Sequence, residues 1–265
     1  MFKNLIIGQY IDTGSPIHKL NPAFKIIMTV LFTVLLFWIN GFLAYINICI
    51  LLLMLIALSG VPIRLILKGI KPVMFLALFT LVMNSFLTDG HVIWQLWKIK
   101  LTYEGLELGI LFAVRLVFLV CAASILTLTT APLELTDGIE KLLLPLSKLK
   151  IPTHDIAMMM TIAIRFIPTL GEEAARIMDA QASRGADFED GNIIKKAKAL
   201  MPVLIPLFIS AFRHSDELAV AMDARCYSGK SRTKMNEKKI TAYDIRAAII
   251  FILIGAALIG IDYLM

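Results

Sequence analysis

Residues 26–63 read IIMTVLFTVLLFWINGFLAYINICILLLMLIALSGVPI, and none of these 38 residues carries a charge. A membrane-crossing helix needs about 20 apolar residues, so the stretch has room for two. Asn40-Gly41 stands near its middle and is a strong turn pair. The reading is a helical hairpin, with spans of about 23–39 and 42–58, closed by Ser59-Gly60-Val61-Pro62.

Further charge-free runs follow outward from this hairpin. The runs 72–88, 108–133 (broken only by Arg115) and 247–261 place spans at about 70–88, 106–130 and 243–265. Composition agrees: 58% of the 265 residues are apolar and 17% are charged. Soluble domains carry about 45–50% and about 25%. A soluble globular chain and a disordered one are both excluded. Residues 1–22 hold no apolar core of signal-peptide length and no small-residue cleavage site, so no cleaved leader is expected. Cys49, Cys121 and Cys226 are odd in number and far apart, which supports neither a disulfide framework nor a metal knuckle.

Basic residues set the orientation. Residues 1–25 hold Lys3, Lys19 and Lys25, and the expected 59–71 loop holds Arg64, Lys68 and Lys71. Residues 89–104 hold Lys98 and Lys100 beside Asp89 and Glu104, with Trp94 and Trp97 suited to an interface. Residues 131–242 hold 16 of the 26 basic residues. The N-terminus and 131–242 are thus predicted to be cytoplasmic, and the C-terminus outside. Gly105 and Gly109, and likewise Ala256 and Gly260, are four apart and suit close helix packing. Arg115 inside a span is a functional candidate, or it pairs with a polar group such as Asn84, or it reaches water by tilt.

The 131–242 region reads as long, kinked amphipathic helices. Thr136-Asp137 precedes a short helix, and Pro145 and Pro152 then break the chain. Thr153 is predicted to cap a helix running from His154 to Ser183, bent at Pro168 and stopped by Gly185. A second helix is predicted from about Ile193 to Arg225, bent at Pro202 and Pro206. The two end alike. Each has early acids (Glu172, Glu173; Asp216, Glu217), then small and apolar residues, then one arginine, Arg184 or Arg225, 41 positions apart. An arginine at a helix C-terminus complements the macrodipole, which accounts for either one alone. As a pair they also form two matching plugs, each a planar five-donor cation able to hold a carboxylate bidentately. Two plugs imply a partner with two grooves, such as a dimer. Glu172 stands four before Arg176 for a helical ion pair.

Other chemistry is poorly supported. Residues 224–231 nearly fit a phosphate loop, with Ala224 for its first glycine, but a helix precedes them where a strand is required. His18, His91, His154 and His214 lack ligand spacing, and Met158-Met159-Met160 reads as soft packing surface. No catalytic constellation and no metal or cofactor site is predicted. An intramembrane enzyme needs paired acids or a His/Cys cluster in the spans. A self-contained carrier or channel needs a polar path or an inverted repeat, which five unequal spans do not form.

Several segments resemble the transmembrane T component of energy-coupling factor transporters, the EcfT family, related to cobalt-transporter permeases. They are Gly14-Ser15-Pro16-Ile17-His18-Lys19-Leu20-Asn21-Pro22, with Asn21 where Asp is usual and Ala23 where Arg is usual; Thr129-Thr130-Ala131-Pro132-Leu133-Glu134-Leu135; and Arg165-Phe166-Ile167-Pro168-Thr169-Leu170. The two Ala-Arg-Gly motifs of the family are similar to Ser183-Arg184-Gly185 and Ala224-Arg225-Cys226. The resemblance implies an all-α protein of about five transmembrane helices plus a cytoplasmic coupling region, in a bacterial plasma membrane. It implies a non-catalytic subunit that joins two ATP-binding cassette ATPases, which bind the ATP, to a membrane-embedded substrate-binding S component for vitamin uptake. A dedicated cobalt or nickel permease subunit is the alternative within the family. Arg184 and Arg225, flanked by Ser183, Gly185, Ala224 and Cys226, become the ATPase-docking tips. Pro168, Pro202 and Pro206 become bends. Met159, Ile162, Leu204 and Leu207 become the face toward the S component and lipid. Nucleic acid is not expected as a partner.

Overall fold

The computed structural model describes residues 10–39, 41–96, 99–149, 152–186, 188, 192–227, 238 and 240–264. Lys3, Asn40, Trp97, Lys98 and the stretch 228–234 lie outside them, as does the Trp94 side chain. In order, the elements are α1 (Pro22–Trp38), α2 (Phe42–Ser59), α3 (Ile63–Leu87), β1 (Val92–Leu96), β2 (Ile99–Thr102), α4 (Tyr103–Thr129), α5 (Pro132–Leu143), a 3₁₀ turn (Leu144–Leu149), α6 (Thr153–Ser183), α7 (Ile193–Ala224) and α8 (Ala242–Leu264). The fold is all-α apart from the small antiparallel ribbon β1–β2. Its described residues divide into a bundle unit, 10–142 with 238–264, and a crossed-helix unit, 143–227.

In the bundle unit α2, α3, α4 and α8 are long and apolar enough to cross a membrane. α1 is apolar but shorter, 17 residues, or about 25 Å. Lipid solvates apolar side chains, so these helices leave large ones exposed, Phe75 and Leu87 among them, and bury only a seam. That seam holds Phe32, Leu36, Ile48, Leu52, Ile66, Phe118 and Leu258. α3 and α4 pack most closely. A Cβ added at Gly109 would stand 2.8 Å from the Leu81 carbonyl oxygen, and one at Gly105 would stand 2.6 Å from that of Asn84. At Gly260 an added Cβ meets nothing, so the Ala256/Gly260 pair is not such a contact.

Polar side chains fix the directions. Buried Lys25, in the first turn of α1, donates from Nζ to the carbonyl of Thr129 at the end of α4 (2.8 Å). Asp244 near the start of α8 accepts the Asn21 N–H at 2.8 Å, and Asp262 near its end accepts that of Gly41. α8 is therefore parallel to α1, and α4 runs the opposite way. His18 explains the opening motif: its Nε2 donates to the Ile11 carbonyl (2.8 Å), leaving Nδ1 to accept from Ser15 Oγ (2.7 Å). Asn21 caps α1 through Oδ1 and donates from Nδ2 to the Lys238 carbonyl (2.7 Å), a bond no carboxylate could donate.

The structure corrects four expectations. Residues 63–71 are not loop but the first turns of α3. Arg64, Lys68 and Lys71 line an exposed side while Ile66 and Ile70 are buried, so an amphipathic extension was hidden by its charges. The ribbon β1–β2 fills a segment read for its charges and tryptophans, with no strand expected there. α5 starts at Pro132 rather than after Thr136, whose buried hydroxyl instead bonds the Leu133 carbonyl (2.7 Å). Pro152, not Thr153, occupies the N-cap of α6, with no side-chain cap bond.

Candidate functional site

α6 and α7 terminate in one geometry. At the end of α6 the Ala186 N–H bonds the Gln181 carbonyl (3.0 Å) and the Gly185 N–H bonds that of Ala182 (2.9 Å). At the end of α7 the Tyr227 N–H bonds the Met222 carbonyl (3.0 Å) and the Cys226 N–H bonds that of Asp223 (2.9 Å). Both are Schellman motifs. Arg184 and Arg225 take nearly the same backbone angles, φ/ψ of −91/6° and −93/13°. The residue after each is left-handed, Gly185 at φ 88° and Cys226 at φ 56°. The sequence likeness of the two ends is thus a likeness of shape.

These bonds satisfy terminal carbonyls through the backbone, so neither arginine is needed as a cap. Arg184 and Arg225 are exposed, as are Ser183, Gly185, Ala224 and Cys226 beside them. Among the described residues neither guanidinium has an ion pair or hydrogen bond, so both keep five donors for an outside acceptor.

Cys226 is the only non-glycine residue at positive φ among the described residues. That conformation costs an L-residue about 1–2 kcal/mol. Cys226→Gly is therefore expected to slow amide exchange across 222–227 and to stabilise this helix end by about 1 kcal/mol. Gly185→Ala should loosen the other end by a similar amount.

The rods meet at one crossing. Ser210 Oγ donates to Glu173 Oε1 (2.6 Å), and the His214 ring lies 6.0 Å from that of Phe166. Ile162, Phe166 and Leu170 of α6 face Ala211, His214, Ser215 and Leu218 of α7 across a small crevice. Phe166 meets His214 while Glu173, further along α6, meets Ser210, earlier on α7, so the rods run in opposing senses. Their arginine tips leave the crossing on opposite sides, on arms of about 17 Å beyond Glu173 and about 22 Å beyond Ser210.

Pro168 lies inside α6, and Pro202 and Pro206 lie inside α7. Each removes a helical hydrogen bond, from the carbonyls of Ile164, Lys198 and Pro202. Of the predicted outer-face residues, Met159 and Leu204 are exposed, at 62% and 43%. Leu207 is half-buried, and Ile162 is half-buried in the crevice between the rods. Phe208, Ile209 and Phe212 extend the exposed apolar face. Glu172 and Arg176 form no ion pair, and it is Glu173 that bonds the partner rod. Sequence reasoning missed this Glu173–Ser210 contact, because no local pattern sets the register of two crossing helices.

Arg115 in α4 is 7% exposed and does not meet Asn84, which bonds the Thr80 carbonyl. Its Nε donates to the Tyr45 hydroxyl (2.9 Å) and its Nη2 to the Ile39 carbonyl (3.0 Å), the C-cap of α1. Its guanidinium lies 5.3 Å and 5.5 Å from the centroids of the Phe37 and Phe112 rings.

Comparison with known proteins adds an independent line. The family model CbiQ, Cobalt transport protein, matches residues 13–235. Relatives named energy-coupling factor transporter transmembrane protein EcfT match nearly the whole chain. The protein from Clostridium kluyveri is 52% identical over 252 residues, 94% of this chain and 93% of its own. Those from Ruminiclostridium cellulolyticum (48%, covering 92% of each) and Bacillus subtilis (41%, covering 97% and 98%) are similar. With its long apolar helices and paired arginine-tipped rods, the chain belongs to the CbiQ family of cobalt transport proteins, among the EcfT transmembrane proteins of energy-coupling factor transporters.

Proposed function

We propose that this chain is the coupling subunit of an ATP-driven importer, linking a cytoplasmic pair of ATP-binding cassette subunits to a membrane-embedded substrate-binding S component for vitamin uptake. The observation that carries the reading is the pair of exposed arginines on helix ends of matched backbone geometry, neither with a side-chain partner among the described residues. A dimeric ATPase offers two equivalent grooves, and a symmetric pair of acceptors suits a matched pair of donors. ATP is held by those partners, and this chain needs no cofactor of its own. α1, α2, α3, α4 and α8 all span the bilayer. The end bearing His18, Lys25 and α5 faces the cytoplasm together with α6 and α7, and α8 ends outside. Pro168, Pro202 and Pro206 let the rods bend as the ATPases close.

Mild-detergent purification of the native assembly tests this: two ATPase subunits and a small membrane protein should co-purify with the chain. Purification as a lone carrier, or as a self-contained channel active without ATP, would end the reading. The family description keeps a second reading, a dedicated cobalt or nickel permease subunit, which predicts Co²⁺ or Ni²⁺ uptake by the same assembly.

The exposed apolar face of α6 and α7 is the S-component surface in this reading. A single charge there would be buried without a partner. Met159→Glu with Leu204→Glu is expected to lower recovery of the S component at least tenfold while leaving the ATPases bound. Loss of the ATPases with the S component retained would assign the face elsewhere.

A further inference from the structure

The bundle unit holds the chain up to Leu142 and again at Lys238, and the described residues of the crossed-helix unit fall between these in sequence. The outgoing and returning strands are bound to each other. Lys238 Nζ pairs with Glu134 Oε1 of α5 at 2.6 Å. The Lys238 carbonyl accepts Lys141 Nζ of α5 (2.7 Å) and Asn21 Nδ2 (2.7 Å). Asn21 in turn gives its N–H to Asp244 Oδ1, while Asp244 Oδ2 accepts the Thr241 N–H (2.7 Å) and hydroxyl (2.8 Å). One residue on the returning strand therefore joins α5, the start of α1 and, through Asn21, the start of α8. A lone exposed ion pair holds two segments weakly. Here the ion pair and two donors on one carbonyl act on the same residue, and a shared network resists separation better than its members do singly.

We infer that Lys238, Glu134 and Lys141 are positioning residues that anchor the returning strand to the bundle. The tie makes α5 and that strand move with the starts of α1 and α8 as one body. In a coupling subunit it fastens the chain that returns from α7 to the membrane helices at Lys238. The mechanical half of this inference rests on the coupling function proposed above. The tie itself does not.

Lys238 and Glu134 side chains are 40% and 30% exposed, so they can be changed without opening the core. The first test uses the full chain alone, carrying Cys226→Gly, in nanodiscs of phosphatidylethanolamine and phosphatidylglycerol. Spin labels go at exposed Arg64 with Ile240, or Lys68 with Ile240, and pulsed electron resonance reads the distance distributions. The expected result is that E134Q with K238M broadens both distributions about twofold, that K141M alone broadens them less, and that the charge-swapped pair E134K with K238E narrows them again. Unchanged widths in the first variant, or no narrowing in the swapped one, overturn the tie.

The second test uses the assembly with its ATPases and whichever of radiolabelled riboflavin, thiamine or folate the unaltered complex accumulates. E134Q with K238M should keep ATP hydrolysis within twofold while uptake per ATP falls at least fivefold. An unchanged ratio overturns the mechanical role. An unaltered chain that brings down no ATPase refutes the coupling function and leaves the spin-label result intact.

Discussion

Replacing Arg184 and Arg225 together by Glu is expected to abolish co-purification of the ATPase pair and, with it, substrate uptake. Each tip offers a planar five-donor cation with no partner among the described residues, which leaves its hydrogen-bonding capacity to a groove. Loss of one interfacial charge that is fully hydrogen-bonded costs about 2–5 kcal/mol. Two such losses exceed about 4 kcal/mol, roughly a thousandfold in affinity. Reversal to Glu adds like-charge repulsion against the acceptors. Lys at both positions keeps the charge but loses the fork, so partial assembly is expected. The two single variants should each weaken assembly without ending it, because the tips leave the crossing on opposite sides and, in the proposed coupling, dock separately. Both residues are exposed, so the thermal midpoint of the isolated chain should not change. Full retention of the ATPases by the double variant would mean that the tips merely complement helix dipoles.

Both arginines were legible from the sequence because the two helix ends repeat one pattern of early acids, small residues and a terminal arginine. The identical hydrogen bonding beneath them was not, since Cys226 carries no sign that it will take a left-handed conformation, whereas Gly185 does. The apolar helices were legible because a lipid solvent demands uninterrupted apolar sequence. The same reliance on charge-free runs hid the start of α3, where Ile66 and Ile70 are buried and Arg64 and Lys68 point away. Long-range polar ties were beyond reach altogether. Nothing local in the sequence pairs Asp244 with Asn21 or Asp262 with Gly41, residues more than 200 positions apart, yet these bonds set the direction of α8.

Arg115 was open to both a functional and a structural reading, and its geometry separates them. Lys25 holds the start of α1 to Thr129, and Arg115 holds the end of α1 at Ile39. The span is 14 residues on each helix, about 21 Å. The arginine sits mid-way along α4 because α1 is short, and Tyr103–Val114 of α4 continues beyond it. Its charge meets the negative end of α1, where Ile39 is the C-cap. Arg115→Met keeps the volume but strips the Ile39 carbonyl and the Tyr45 hydroxyl of a charged donor. Hydrogen bonds to charged groups contribute about 1.5–3 kcal/mol each, so a loss of about 3 kcal/mol is expected, seen as a marked drop in the thermal midpoint in detergent. Arg115→Lys should recover less than half, because an ammonium on a flexible stem does not present the fixed fork that serves both oxygens. Tyr45→Phe should cost about 1 kcal/mol, and combined with Arg115→Met it should add less than its single effect, since the two share a bond. Uptake per folded molecule should stay within twofold of the unaltered chain. A variant that keeps its thermal midpoint but loses uptake would instead place Arg115 in the transport cycle.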